Sequence, residues 1–251
     1  MLGSWFYDYK KGGKEMIYLT GDTHGNLDID KISPILFPLG ETLTKNDYLI
    51  ILGDVGLFYL DSEYIKGYED RKYTTLMIEG NHENYTLIKE LPEVDMFRDK
   101  VKMVNNSLFI LQRGHIYNID GNTFFTFGGA KSIDRYRRIE GLDWFPEEET
   151  NYAEIDFALS NLEKVGKSVD YILTHDCSFS ALEYLCKIYN FLPDNTSHNR
   201  FFEEIKNTVN FKMWFFGHYH KDIIVKGDKE RCLFKEVIDL NGNVVNNLKG
   251  E

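Results

Sequence analysis

Met16-Ile17-Tyr18-Leu19-Thr20-Gly21-Asp22-Thr23-His24-Gly25-Asn26 joins an apolar run of strand length to a turn carrying an acid and an imidazole at i, i+2 spacing. The arrangement recurs along the chain. Tyr48-Leu49-Ile50-Ile51-Leu52 runs into Gly53-Asp54-Val55-Gly56, and Thr74-Thr75-Leu76-Met77-Ile78 leads to Gly80-Asn81-His82-Glu83. Tyr171-Ile172-Leu173 runs into Thr174-His175-Asp176, and Phe211 to Phe216 into Gly217-His218-Tyr219-His220. Short continuous apolar runs are the signature of strands buried on both faces, the state of parallel sheets. Five of the seven histidines lie in the turns at the ends of these runs.

Between these strands the pattern changes period. A helix is expected from Asp28, whose carboxylate can cap it. Residues 61 to 72 read as helical, as do 85 to 91. Ser107 to Leu111, Ile116 to Ile119 and Thr123 to Phe127 read as short antiparallel strands, with Asp120-Gly121 as a hairpin turn. Residues 147 to 165 read as an amphipathic helix with acids at its start, where the helix dipole favours them. Further helices are expected at 179 to 190 and 200 to 208, then short strands with a turn at Asn241-Gly242. The sum is α/β: βαβα units, then antiparallel strands, with helices between. One domain over residues 1–251 is expected, with 1–15 as an N-terminal extension. No repeat or linker interrupts it.

The formal net charge is −11, a poor match to a general nucleic-acid binder, which holds phosphates through Lys and Arg. The three cysteines, Cys177, Cys186 and Cys232, show no CxxC spacing, so neither a disulfide framework nor a thiolate metal site is expected. No apolar stretch has the length of a signal peptide core or a membrane span, which makes the cytoplasm the expected location.

The turn residues are metal ligands by type. Asp22 and His24 can point at one ion from the same turn. Asp54 can use one carboxylate oxygen for each of two ions, Asn81 offers an amide oxygen, and His175, His218 and His220 offer imidazoles. A nitrogen and oxygen set without sulfur suits manganese, iron, zinc, nickel or cobalt, and so many imidazoles argue against magnesium; manganese is the first expectation. Any one of these motifs alone is more often a turn or a surface pair. Five of them, each after a strand, are not explained that way.

This series of motifs resembles the calcineurin-like metallophosphoesterase superfamily, whose pattern is Asp-x-His, Gly-Asp, Gly-Asn-His-Glu/Asp, His and Gly-His-x-His. The match runs from Asp22 to His220 and looks most like small bacterial and phage members. The resemblance implies a four-layer αββα sandwich, with two mixed β-sheets flanked by helices and the metal site at strand C-terminal ends. It also implies two divalent ions. One is held by Asp22, His24 and His220, and the other by Asn81, His175 and His218, with Asp54 bridging. His82 is then the catalytic imidazole near the leaving group. A metal-bridging hydroxide is expected to attack a phosphomonoester or phosphodiester of modest size.

One departure matters. Protein Ser/Thr phosphatases of this superfamily continue the second motif with Asp-Arg-Gly, whereas Asp54 is followed here by Val55-Gly56-Leu57-Phe58. The acid that would orient His82 and the arginine that would grip phosphate are missing from that position. The basic loop Lys131 to Arg138 is a candidate replacement, with Arg135 and Arg137 as substrate contacts and Tyr219 as a pocket wall. Glu83 is expected near the Asn81–His82 turn or as a helix N-terminal acid. Asp176 is expected to cap the next helix or to orient a ligand, His115 to be structural, and His198 to be exposed or to rim a substrate cleft. The competing readings are a non-catalytic scaffold of the same fold, which would have lost a ligand or the catalytic histidine, and a nuclease, which would show an extended basic groove.

Overall fold

The protein is described by a computed structural model covering residues 15–192, 196–227 and 229–247. The expected N-terminal extension lies, but for Glu15, outside the described residues. Among those residues, strands β1 (Ile17–Thr20), β2 (Tyr48–Ile51), β3 (Thr74–Met77), β4 (Glu93–Met96), β5 (Asp99–Asn105) and β6 (Leu108–Leu111) precede β7 (Ile116–Ile119) and β8 (Asn122–Phe127). After them come β9 (Tyr171–Thr174), β10 (Met213–Phe216), β11 (Ile223–Ile224), β12 (Glu230–Cys232) and β13 (Ile238–Asp239). The α-helices are α1 (Glu63–Lys66), α2 (Tyr85–Glu90), α3 (Tyr152–Lys164), α4 (Phe179–Tyr189) and α5 (Ser197–Thr208).

Two mixed sheets result. The first has the order β13-β1-β2-β3-β6-β5-β4, the second β11-β12-β10-β9-β8-β7. In the first, β1, β2, β3 and β6 are parallel; in the second, β8, β9, β10 and β12 are parallel. Alternate residues of each buried strand serve different layers. Leu19, Ile50, Leu76 and Phe109 meet Phe124, Leu173 and Phe215 in a core between the sheets. Leu49, Ile51 and Met77 face the other way, onto Ile65 of α1 and Ile88 of α2. Phe127, Ile172 and Trp214 pack on Leu162 of α3 and Phe202 of α5. Helix, sheet, sheet and helix make four layers, as the resemblance implies.

Several local expectations are corrected. Residues 108–111 do not share an antiparallel sheet with 116–119 and 122–127. Instead β6 lies parallel to β3 in the first sheet, and the β7–β8 hairpin belongs to the second. The chain changes sheet through Gln112-Arg113-Gly114-His115. β4 and β5 form an antiparallel edge pair that the sequence hides, because β4 lies largely open to solvent and shows no apolar run. Asp28 caps no α-helix; only a 3-10 turn, Ile29–Ile32, comes after it, and its carboxylate is engaged by His24. Helix formation in 61–72 is confined to α1, and α3 begins at Tyr152 behind a capping box of Asn151 and Glu154. A second capping box, Thr196 with Asn199, starts α5 at Ser197 rather than 200. That earlier start carries His198 into the helix and the core, where it is fully buried beside Phe127 and Phe202, not exposed.

Candidate metal centre

The parallel strands of both sheets end at one edge, with Thr20, Ile51 and Met77 in register in the first and Thr174 with Phe216 in the second. Ligand crevices in α/β proteins form at such carboxyl ends. All seven candidate ligands emerge there. His24, Asp54, His218 and His220 have φ of 43°, 52°, 66° and 52°, so four of the seven sit in the left-handed region. A non-glycine residue there costs about 1–2 kcal/mol, and strain of this kind collects where a site over-determines the backbone. The glycines beside the ligands allow close approach. A Cβ on Gly217 would stand 2.7 Å from Leu52 O and nearer still to the Asp22 carboxylate.

The candidate ligand atoms converge. His220 Nε2 lies 3.0 Å from Asp22 Oδ2, His24 Nε2 3.4 Å from Asp54 Oδ2, and His175 Nε2 3.4 Å from Asp54 Oδ1. His175 Nε2 is also 3.1 Å from Asn81 Oδ1. His218 approaches through its ring, 5.0 Å from that of His175, while its N–H donates to Asp22 Oδ1 at 3.0 Å. His82 N donates to Asp54 Oδ1 at 2.8 Å. Its ring Nε2 stands 3.9 Å from Asp54 Oδ2, beside the cluster.

Outer contacts set which ring nitrogen faces inward. His175 Nδ1 is 2.7 Å from Leu52 O, and a carbonyl only accepts, so Nδ1 carries a proton and Nε2 is the nitrogen turned toward the cluster. Asp28 Oδ2 does the same for His24 Nδ1 at 2.7 Å. Asn81 Nδ2 donates to Ser132 Oγ at 3.1 Å, which turns Oδ1 toward the cluster. Glu148 holds Ser132 in turn, accepting from its N–H and its hydroxyl. Such outer partners orient metal ligands.

The electrostatics are those of an anionic well. Asp22 and Asp54 are buried together. Burial opposes ionisation of Asp54, but His175 and His24 outweigh it and hold its carboxyl well below the usual range. Reciprocally, burial would lower both His175 and His24, yet Asp54 and Asp22 push His175 up to about 10 and His24 to about 9. Protons gather on these imidazoles because two buried carboxylates need positive charge. Asp22 Oδ2 is buried without a hydrogen bond although His220 Nε2 is 3.0 Å away, the arrangement of two ligands facing one cation. The donor set fits a divalent metal. His82 differs: burial pushes it down, and Arg138 and His24 offset the pull of Asp54.

A match to the model of the calcineurin-like phosphoesterases covers residues 16–222. The chain belongs to the calcineurin-like phosphoesterase family. No curated protein sequence is significantly similar to it. Among solved structures, a phosphopantetheinyl hydrolase, PptH, from Mycobacterium tuberculosis is similar at 16% identity and TM-score 0.44, with 89% of each chain covered. A putative 5'-nucleotidase from Staphylococcus aureus, solved in complex with alpha-ketoglutarate, is similar at 14% identity and TM-score 0.41; 92% of this chain covers 52% of that one. This chain thus spans about half the length of the second.

Within this calcineurin-like frame the remaining candidates find their places. Glu83 is no helix cap; its two oxygens accept from Val55 N at 2.8 Å and Leu57 N at 2.5 Å, clamping the loop after Asp54. Burial, with Asp54 nearby, raises its carboxyl to about 8. Asp176 does not cap α4, because Ser178 does; it accepts from Tyr219 Oη at 2.6 Å and Asn199 Nδ2 at 2.9 Å. Tyr219 accordingly packs between Phe216 and Phe191, with its ring against His218. His115 stacks on Tyr117, with Nδ1 3.0 Å from Asp99 Oδ2. In the basic loop, Arg135 pairs with Glu149 at 2.7 Å and Arg137 lies over Tyr136, both on the exposed side. The arginine that reaches the site is Arg138, against His82. Sequence reading missed it, together with Asp28, Ser132 and Asp134. Asp28 alone left a signal, its i+4 spacing from His24.

Proposed function

We propose that the chain is a dinuclear-metal phosphoesterase acting on small phosphomonoesters or phosphodiesters. Asp22, His24 and His220 would hold one divalent ion and Asn81, His175 and His218 the other, with Asp54 shared. The observation that carries this reading is the spacing of atoms from five separate strand ends. Ligands about 2.0–2.2 Å from one ion stand about 2.8–3.6 Å apart in tetrahedral or octahedral geometry, and the four closest pairs lie 3.0–3.4 Å apart. The donor set admits manganese, iron, zinc, nickel or cobalt, and manganese is the first one to test.

Bound there, the ions would supply Lewis-acid polarisation of a phosphoryl oxygen and a water acidic enough to act near neutral pH. The protein's own groups do the rest. Asp54, held by His82 N–H, keeps a carboxylate between the two ligand sets. Leu52 O and Asp28 fix the proton on the outer nitrogens of His175 and His24, so neither ring drifts to the wrong tautomer. His82, part-exposed at the edge of the cluster, would hydrogen-bond a leaving-group oxygen and pass it a proton, the task of a general acid. Glu83 ties the loop after Asp54 to the His82 turn, so the shared carboxylate and the acid move as one piece. Retention of every expected ligand and of His82 counts against a non-catalytic scaffold, and the −11 net charge against a nuclease.

The deciding experiment strips the protein with a chelator, restores Mn, Fe, Zn, Ni or Co singly, and assays an aryl monoester, an aryl diester, cyclic nucleotides and dinucleotides. Metal-dependent turnover with two ions per chain is expected. Two bound ions with no hydrolysis of any substrate would favour the scaffold, and hydrolysis of polynucleotides alone would favour the nuclease.

A further inference from the structure

We infer that Arg138 is the substrate-phosphate clamp of this site, standing in for the arginine missing after Asp54. The inference rests on the phosphoesterase reading above and adds to it the residue that grips the anion. An arginine has five N–H donors in a rigid fork. Three are committed: Nε to Asp134 Oδ1 at 2.9 Å, Nη2 to Asp134 Oδ2 at 3.0 Å, and Nη1 to Asp143 O at 3.1 Å. The remaining two, one on each terminal nitrogen, both face His82. Nη1 is 3.0 Å from Nδ1 and Nη2 is 3.3 Å from Nε2.

One imidazole cannot satisfy both. A neutral ring offers a single acceptor nitrogen, so it satisfies at most one of the two N–H groups. The fork is therefore under-matched where it points. Two parallel N–H groups match two oxygens of a phosphate, the bidentate arrangement for which arginine is suited. The position is right as well. The His82 ring lies 5.6 Å from that of His24, and its Nε2 3.9 Å from Asp54, so an anion seated on the fork would also border the metal ligands. Asp134 is the positioning residue. It neutralises the charge on the far side and fixes the guanidinium plane without occupying the inward fork. Arg135 and Arg137 on the same loop are turned to Glu149 and Tyr136 and do not share this geometry.

The test uses the metal-loaded full chain, with inorganic phosphate binding by calorimetry and KM and kcat on an aryl monoester. Losing a bidentate, charge-assisted contact weakens binding roughly 10- to 100-fold. Arg138→Ala should raise the phosphate Kd and the KM by that factor with metal content unchanged. Arg138→Lys, which keeps charge but not the fork, should fall between it and wild type. Free guanidinium should restore part of the phosphate binding of Arg138→Ala. Asp134→Ala should produce a smaller rise in KM that guanidinium does not reverse. An unchanged Kd and KM in Arg138→Ala would overturn the clamp, as would loss of bound metal in that variant, which would assign the residue to the metal shell. Arg138-dependent phosphate binding by a protein that hydrolyses no ester would keep the clamp and remove the phosphoesterase reading.

Discussion

Gly80→Ala tests how tightly the strand ends are fitted around Asp54. The backbone at Gly80 is not left-handed, so steric contact alone decides the outcome. A Cβ there would stand 2.8 Å from Asp54 Cγ and closer still to its Oδ1 and N. An ordinary contact needs about 3.4 Å, so Asp54 must move by roughly 0.6 Å at Cγ and by more at Oδ1 and N. That carboxylate is no loose end. Oδ1 accepts from His82 N at 2.8 Å and lies 3.4 Å from His175 Nε2. Overpacking costs about 1–3 kcal/mol, and a strained or lost His82 N–H bond about 1 kcal/mol more. A loss of about 2–4 kcal/mol lowers Tm by roughly 4–16 °C in a chain of this size. Metal geometry tolerates only about 0.2 Å, so metal content should fall as well. Calorimetry of the metal-free protein reads the packing cost, and elemental analysis of the reconstituted protein reads the site. Gly121→Ala is the comparison. Its φ of +77° gives backbone strain but its Cβ would meet no atom within 4 Å, so a loss of only about 1 kcal/mol and full metal content are expected. A Gly80→Ala protein with wild-type Tm and two ions per chain would refute the argument.

His82→Ala should retain bound metal while turnover falls about 10²- to 10⁴-fold; unchanged hydrolysis would remove His82 from the mechanism. Asp54→Asn should weaken both ions together, and full occupancy by elemental analysis would sink its shared role. Chelation should lower Tm, because Asp22 and Asp54 are then left buried without their cations; identical melting curves would contradict the metal assignment. Lys31 gives a pH test on the metal-free protein. Its ammonium is buried, donating to Asp22 O and, at 2.5 Å, to Phe234 O, and burial pushes it down to about 8. The folded state then binds fewer protons than the unfolded state between about pH 8 and the ordinary 10.5, so stability rises with pH through that window. The contribution is up to about 3 kcal/mol, and the urea midpoint of Lys31→Met should lack this part of the slope. Parallel slopes for the two proteins between pH 8 and 10 would count against it.

Much of the candidate site was legible because its candidate ligands travel with strands. An apolar run followed by Gly and an acid, amide or imidazole reports both a buried strand and the group that stands at its end, and β1, β2, β3, β9 and β10 all announced themselves that way. The edge pair β4–β5 did not, because a strand open to solvent shows little apolar pattern. His198 was misplaced for a related reason. The polar run around it hides a capping box, and which helix face meets Phe127 is a property of packing, not of local composition. Arg138 was one of four basic residues in a single loop. Only its partner, 56 residues away, distinguishes it from Arg135 and Arg137.

The sequence by itself determined the kinds of candidate ligand, their order and the strands that deliver them, because those depend on residue type and on short-range periodicity. Tertiary structure alone decided which atoms meet. It chose which sheet β6 joins, which nitrogen of His175 and His24 faces inward, and which arginine lies on His82. Each of those choices is made by a contact between segments distant in the chain, or by a backbone turned into the left-handed region to reach it. Spacing along a sequence carries no record of such contacts.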